Sequence, residues 1–230
     1  MEKAFRDNLD AFARKDVDAV VARMGDNLGS RTDLIKFMDA YRIVLYRINN
    51  IVVTGKTATI DYENAIVGRN LNTDVTTLLA QHDVWLKATT GWMFQSDISS
   101  QPGIPVDLAS VAVTLRDDGQ IVIPTPLPKG EFAFAMKNSG SNTKGVFILG
   151  IPADLDVPSF IEQQVKSSEP GFPDNILEMG ATTDIAAGGT GAMVFNAALP
   201  EGRYLLLTQI TKSFGDTTLL PKEYAEFTVQ

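Results

Sequence analysis

The apolar residues of this chain change their spacing within its first half. Up to about residue 45 they recur every three or four positions, as on one side of a helix. From Ile48 onward they alternate or form short runs between turns, as in strands. Helices followed by successive hairpins predict an α+β fold with an antiparallel sheet. The 230-residue length suits one large domain or two small ones.

Three helices are predicted before this change. Residues 2–14 have amphipathic spacing, and Asp16 is a suitable N-cap for a second helix that stops at Gly25. A third helix is expected after Thr32. Its apolar side consists of Leu34, Phe37, Met38, Tyr41 and Leu45.

Four strands are predicted after the helices, and tight turns or a polar loop at 68–73 join them. They are expected at 48–54, 57–67, 74–88 and 92–98. The strands carry apolar residues at both parities, whereas a sheet with one solvated face alternates more cleanly. We therefore expect the second face to be covered as well, either by a second copy of the sheet or by the chain's own C-terminal half.

The stretch SSQPGIPV, residues 99–106, marks the predicted domain boundary because it is polar and rich in Pro and Gly. We assign domains to 1–100 and 107–230, with a linker at 101–106, and expect a cut here to give two independently folding pieces. Runs such as VAVTL, EFAFAMKN, GVFILGI and RYLLLTQI predict an all-β sandwich or barrel beyond the boundary. Residues 157–184 are expected to leave it as an excursion that starts with a helix.

Composition excludes several classes of function. The net charge of −8 and the absence of a basic cluster argue against nucleic acid as a partner. Zero cysteines exclude disulfides, thiolate metal sites and a cysteine nucleophile. No apolar run is long enough to span a membrane, and the charged N-terminus lacks a signal-peptide core. The expected location is cytoplasmic if Met1 is the true start, and periplasmic or extracellular otherwise.

The first hundred residues resemble the NTF2-like superfamily, which includes ketosteroid-isomerase-like and polyketide-cyclase-like (SnoaL-like) proteins. Two opening helices, the arm GKTATIDYENAIV, and HDVWLK followed by ATTGWMFQSDI carry the resemblance. It implies a cone in which helices and a curved antiparallel sheet enclose a pocket. Little chain separates the second and third helices, so the early strand of that family is expected to be shortened.

Residues 107–230 resemble a cupredoxin through FAFAMKNSGSNTKGVFIL, ALPEGRYLLLTQI and YAEFTVQ. In that family, an Asn-x-Gly turn precedes a copper-binding histidine. Here Lys144 and Gly145 stand in that place, and Thr208 replaces the cysteine ligand. No histidine follows, and no methionine lies near Glu223. Because a blue-copper site needs two imidazoles and a thiolate, the resemblance implies a β-sandwich without metal or other cofactor.

Eight residues are candidates for lining a pocket in the N-terminal domain. They are Tyr41, Tyr62, Asn64, Gln81, His82, Asp83, Trp85 and Asp97. The only histidine, His82, could act as a general base or be a core or interface histidine held by a hydrogen bond. Asp97 could serve as an acid or base if buried, or lie exposed at a strand end. The polar residues could equally form a solvated or dimer-facing side, since alternation does not say which face is concave.

The sequence contains no set of mutually supporting catalytic residues. The leading hypothesis is therefore a non-enzymatic binding or interaction protein. Its N-terminal cone would bind a small apolar ligand or form a homodimer through its sheet. The alternative is an isomerase, cyclase or dehydratase that works in the cone, as the resemblance allows.

Overall fold

The computed structural model describes residues 1–24, 30–68, 75–119, 121–166, 172–213 and 216–230. The chain divides into two compact units. Unit 1 holds Met1–Asn72 and Leu78–Ser100, and unit 2 holds Thr73–Thr77 and Gln101–Gln230. The predicted helix stop at Gly25 and the predicted loop from residue 69 onward lie outside the described residues.

Unit 1 begins with three helices: α1 (Glu2–Arg14), α2 (Val17–Met24) and α3 (Arg31–Ala40). The predicted bounds of α1 are confirmed. The predicted cap of α2 is confirmed too, because an Asp16 carboxylate oxygen accepts the Ala19 N–H at 3.0 Å. Helix α3 is capped by Ser30, whose hydroxyl oxygen accepts the Asp33 N–H at 3.1 Å.

Four antiparallel strands form the sheet of unit 1 in the order β1-β2-β3-β4. Their bounds are β1 (Tyr41–Thr54), β2 (Thr57–Gly68), β3 (Leu78–Ala88) and β4 (Gly91–Ser100). The expectation that Tyr41 and Leu45 extend the third helix was wrong, because both lie in β1. The segment YRIVLYRINNIVVT is rich in β-branched side chains, and these favour the strand although the apolar spacing continues the helical pattern.

The inner face of this sheet packs against α1. Alternation places Ala58, Ile60 and Tyr62 of β2 on one face, together with Trp85 of β3 and its cross-strand partner Phe94 of β4. Phe5 of α1 joins this cluster, and a second cluster fixes α1 to α2 and α3 through Phe12, Val20, Leu34 and Met38. The expected α+β arrangement of helices on an antiparallel sheet is therefore present.

Unit 2 is a β-sandwich made of two four-stranded sheets. One sheet has the order β10-β7-β5-β6, with β5 (Ala109–Leu115), β6 (Ile121–Val122), β7 (Phe132–Asn138) and β10 (Thr190–Met193). The other has the order β12-β11-β8-β9, with β8 (Gly145–Ile151), β9 (Leu177–Ala181), β11 (Gly202–Ser213) and β12 (Asp216–Val229). Strands β5 and β7 run parallel, and their inward side chains meet those of β8 and β11 in the main core.

The predicted excursion is a helix followed by a strand. Helix α4 (Val157–Lys166) buries Val157, Phe160 and Ile161 against the outer side of the β8–β11 sheet. Further along, β9 pairs with β8 and forms the last strand of that sheet. Pattern analysis alone placed the whole of residues 157–184 outside the sandwich, but β9 belongs to it.

A short stretch upstream of β3 belongs to unit 2 rather than to unit 1. Thr77 forms an isolated antiparallel bridge with Phe195, and the partly buried Val75 packs against the main sandwich core. Among the described residues, no helix is long and apolar enough to cross a membrane.

Candidate functional site

A buried carboxyl group lies on the inner face of the unit 1 sheet. Asp83 of β3 is 4% exposed, and it lies between Trp85 on its own strand and Tyr62 on β2. The Tyr62 hydroxyl donates to the two Asp83 carboxylate oxygens at 3.3 and 3.4 Å, and the Trp85 indole N–H donates at 3.4 Å. Within the described part of the chain, these long hydrogen bonds are the side-chain contacts of Asp83, and none of them involves a cation.

Burial changes the ionisation of this group. Desolvation disfavours the carboxylate, and this effect outweighs the hydrogen bond from Trp85, so the pKa of Asp83 rises from 3.8 to about 7. The negative charge of Asp97 on the neighbouring strand acts in the same direction. Burial raises the pKa of Tyr62 as well, so this hydroxyl stays protonated at physiological pH. Asp83 is therefore a carboxyl that exchanges its proton near neutrality.

Aromatic rings close the inner face around Asp83. The Phe5 ring lies 4.7 Å from the Tyr62 ring, centroid to centroid, and 6.4 Å from the Trp85 ring. Trp85 also meets Phe94 edge to face at 5.8 Å. Phe5 and Trp85 are each 1% exposed, so both rings beside Tyr62 belong to the buried core.

Polar residues continue the inner face beyond Asp83. Gln81 accepts a hydrogen bond from the Ser99 hydroxyl at 2.7 Å, and Asn64 is 3% exposed. The carbonyl oxygen of the Asn64 side chain is buried and has no hydrogen-bond partner among the described residues, as is the case for that of Asn8 on α1. Asp97 lies opposite Asp83 on β4, but its side chain is exposed.

His82 and Tyr41 lie apart from the buried residues around Asp83. His82 points to the outer face of the sheet, where its ring nitrogen Nδ1 lies 2.6 Å from an Asp61 carboxylate oxygen. Tyr41 begins β1, and its ring packs against Phe37 at 5.4 Å. Of the eight sequence candidates, Tyr62, Asn64, Gln81, Asp83 and Trp85 share the inner face and are buried. Phe5 was missed as a member of this site, although its place on the apolar side of α1 pointed to the core.

Unit 2 contains a second buried charged group, which sequence reasoning did not predict. The Lys144 side chain is 1% exposed, and its ammonium donates to a Glu223 carboxylate oxygen at 2.8 Å. It also donates to the Arg116 carbonyl at 2.8 Å and lies 3.3 Å from an Asp117 carboxylate oxygen. The Thr208 hydroxyl donates to the same Glu223 oxygen at 2.7 Å.

This arrangement bears on metal binding. Lys144 and Thr208 occupy the positions where the cupredoxin resemblance implies a histidine and a cysteine, and both now bind a single oxygen of Glu223. An ammonium ion at this point repels a metal cation and leaves no free lone pair for it. No cluster of three metal-binding side chains exists within the described residues. The residues present do not fit a copper ion.

An open cleft of about 410 Å³ lies elsewhere in unit 2. It is lined by Gln101, Pro102, Thr183, Asp184, Thr190, Gly191 and Ala192. The Gln101 side chain is fixed there, because its amide donates to Thr183 and its carbonyl accepts the Ala192 N–H at 2.6 Å. The Gln101 side chain is thus fully engaged within unit 2.

Comparisons with known proteins returned solved structures only. No family model and no curated protein matches the chain. An NTF2-like family protein from Streptomyces avermitilis is 16% identical and covers 44% of this chain and 93% of its own, with a TM-score of 0.36. An NTF2-like protein from Cytophaga hutchinsonii is 13% identical at the same coverages, with a TM-score of 0.35. Auracyanin from Roseiflexus castenholzii, a cupredoxin, is 16% identical and covers 56% of this chain and 99% of its own, with a TM-score of 0.31.

Proposed function

We propose that this chain is a non-enzymatic interaction protein built from an NTF2-like unit and a metal-free cupredoxin-like unit. One observation supports the proposal: the buried ionisable group of each unit contacts the chain's own side chains. Phe5, Tyr62 and Trp85 enclose Asp83 in unit 1. Lys144 and Glu223 neutralise each other in unit 2. Neither group is presented to a substrate, which general acid–base or metal chemistry requires.

The partner that we propose is a second copy of the chain, bound through the outer face of the unit 1 sheet. Large apolar side chains on this face are exposed: Val44 by 39%, Val52 by 47%, Leu86 by 40% and Ile98 by 66%. The register places all four on the face opposite the α1 cluster. Exposed apolar residues that share one face are characteristic of an interaction surface.

Charged residues on the outer face already have partners within one copy. Arg47 pairs with Glu63 at 2.7 Å, and Asp61 lies beside His82. A second copy therefore does not have to supply counter-charges, and the apolar side chains beside these pairs provide the contact. A specific dimer of this kind buries on the order of 800 Å² per partner.

Light scattering on the full chain at tens of micromolar tests this proposal. We expect a dimer for the native protein and a monomer for Ile98→Asp, because the added carboxylate would have to be desolvated in the contact with the partner. Val122→Asp is the matched control, since Val122 is a β-branched residue of unit 2 that is 47% exposed. This variant should stay dimeric. A monomeric native protein would overturn the choice of partner.

A second candidate function is acid–base chemistry or small-molecule binding inside unit 1. It is favoured by the pKa of about 7 at Asp83, which suits proton transfer at neutral pH. An apolar dye, anilinonaphthalene sulfonate, probes whether a ligand can enter. If micromolar dye shifts the NMR signal of the Trp85 indole N–H, and Asp83→Asn alters that shift, the second candidate is favoured. An unmoved signal favours the interaction protein.

A further inference from the structure

One side of the sandwich is closed by residues from upstream of β3. Strand β9 is the last strand of one sheet, and Phe195 and Asn196 follow β10, the last strand of the other sheet. The residues between these two edges are Thr76 and Thr77. Both belong to unit 2, although more than a hundred residues separate them from either edge along the chain.

Hydrogen bonds hold this segment on both sides. Toward β9, the Thr77 N–H donates to the Met179 carbonyl at 3.0 Å, and the Thr77 hydroxyl donates to the Ala181 carbonyl at 3.1 Å. Toward the other edge, the Asn196 N–H donates to the Thr76 carbonyl at 3.1 Å. The Asn196 side chain in turn accepts the Thr76 N–H at 2.9 Å. Backbone groups of the segment thus pair as those of an added strand do.

The slot is shaped to the segment. Thr76 and Thr77 are 1% and 4% exposed, so the sandwich encloses them. Gly180 of β9 makes the close approach possible, because a Cβ there would lie 2.2 Å from the Thr77 hydroxyl oxygen and 3.0 Å from its backbone nitrogen. Gly180 also has a φ of +116°, a conformation that other residues rarely adopt.

We infer that the gap between β9 and residues 195–196 is a strand-binding slot, and that its occupant is the chain's own Val75–Thr77 segment. The slot recognises an extended peptide with two successive threonines, whose backbone bonds to both edges and whose hydroxyl caps a β9 carbonyl. Unit 2 is therefore completed by a piece of chain that precedes the predicted boundary at 99–106. This inference is independent of the proposed dimer.

The two halves can be separated covalently after folding to test the inference. A protease site is placed at residues 103–107 of the full chain, where Gly103 has open space around it. The native protein is cleaved and then analysed by size-exclusion chromatography. We expect the two pieces to elute together, because residues 75–77 remain seated in the slot. Separation of the wild-type pieces, each still folded, would show that the sandwich is complete without the segment.

Two variants make the result specific to the slot. Gly180→Ala places a methyl group where the Thr77 hydroxyl lies, and we expect at least about tenfold weaker association of the cleaved pieces. Gly188→Ala is the matched control, since Gly188 also has a positive φ, +71°, but nothing lies within 4 Å of the added Cβ. Equal association of these two variants would overturn the inference.

A milder change keeps the test valid if Gly180→Ala does not fold. Thr77→Val preserves the shape of the side chain and removes the hydroxyl bond to the Ala181 carbonyl. We expect a severalfold faster hydrogen exchange of the Asn196 amide, which donates to the neighbouring Thr76 carbonyl. Unchanged exchange at Asn196 would contradict the proposed role of the segment.

Discussion

Each unit buries an ionisable side chain in its core, but the two sites deal with charge in different ways. The Lys144 ammonium of unit 2 is surrounded by a carboxylate, a carbonyl and a second carboxylate within 3.3 Å. Asp83 of unit 1 has, among the residues that the structure describes, only the neutral donors Tyr62 and Trp85, at 3.3–3.4 Å. Its carboxyl group is stabilised by keeping its proton.

Equal burial therefore has different consequences for stability in the two units. Loss of one partner from an ion pair leaves an uncompensated charge in the core, which is expensive at any pH where that charge persists. A lone buried carboxyl costs stability only when it ionises, so its effect depends on pH. Four substitutions at the two sites test this difference.

Lys144→Met should have the largest effect. The substitution leaves the Glu223 carboxylate buried, and the Thr208 hydroxyl is then its one remaining side-chain donor in the described part of the chain. We expect a loss of about 3–5 kcal/mol in the free energy of unfolding, as for other broken buried pairs. Urea denaturation at pH 7 measures it.

Two further variants show whether charge is the cause. Adding Glu223→Gln to Lys144→Met removes the uncompensated carboxylate and should recover at least half of the lost stability. Lys166→Met breaks an exposed pair with Glu162, and we expect a change below about 0.5 kcal/mol. If the double variant is as unstable as the single one, packing rather than charge explains the loss.

Asp83→Asn should have the next largest effect, and only above acidic pH. Between about pH 4 and 7, the folded protein keeps a proton that the unfolded chain releases, so stability falls as pH rises through this range. A pKa raised from 3.8 to about 7 corresponds to at most about 4 kcal/mol. Because the folded site can relax around the charge, we expect the variant to be about 2 kcal/mol more stable than the native protein at pH 8.

The same experiment at low pH provides the internal control. At pH 4 the native Asp83 is protonated when folded, so the two proteins should have nearly equal free energies of unfolding. Asp154→Asn removes an exposed carboxylate from unit 2, away from Asp83, and should change stability little at either pH. A constant difference between Asp83→Asn and the native protein from pH 4 to 8 would contradict the raised pKa.

The sequence predicted helix bounds and caps better than the tertiary contacts between elements. The amphipathic spacing of residues 2–14 and the cap at Asp16 depend on nearby residues, and both were correct. Strand β9 was missed because LEMGA has little β-propensity, and its pairing with β8 is a tertiary contact. The start of β1 was missed because helical and strand patterns overlap at Tyr41–Leu45.

The candidate site shows a similar limit. Alternation implied that His82 and Asp83 lie on opposite faces, but only the position of α1 shows that the Asp83 face is the inner one. The cupredoxin resemblance drew attention to Lys144 and Thr208 as positions without metal ligands. It did not predict their convergence on Glu223, because the pairing joins residues 79 positions apart.

Thr208→Val is a smaller change, and it tests how much the Thr208 hydroxyl contributes beside the ion pair. Valine has nearly the shape of threonine but cannot donate to the Glu223 carboxylate at 2.7 Å. Since Lys144 still compensates the charge, we expect a loss of about 1–2 kcal/mol in unfolding free energy. In the Lys144→Met background, the Thr208→Val change should cost more, because the hydroxyl is then the remaining side-chain donor. Additive losses in a double-mutant cycle would show that the two donors act independently.

Tyr62→Phe should have the smallest effect on stability, below about 1 kcal/mol at pH 5, because its hydrogen bonds to Asp83 are long. The variant is informative because it should change the pKa of Asp83. The Tyr62 hydroxyl bonds to the carboxylate and lowers that pKa, whereas burial raises it. Removing the hydroxyl should therefore move the pKa further above 7, so that stability continues to fall to a higher pH before it levels off. Carbon-13 NMR of the Asp83 carboxyl measures the titration directly. Since Tyr204 is also a buried tyrosine, but in unit 2 with its hydroxyl donating to the Pro200 carbonyl, Tyr204→Phe is the matched control that should leave the Asp83 titration unchanged.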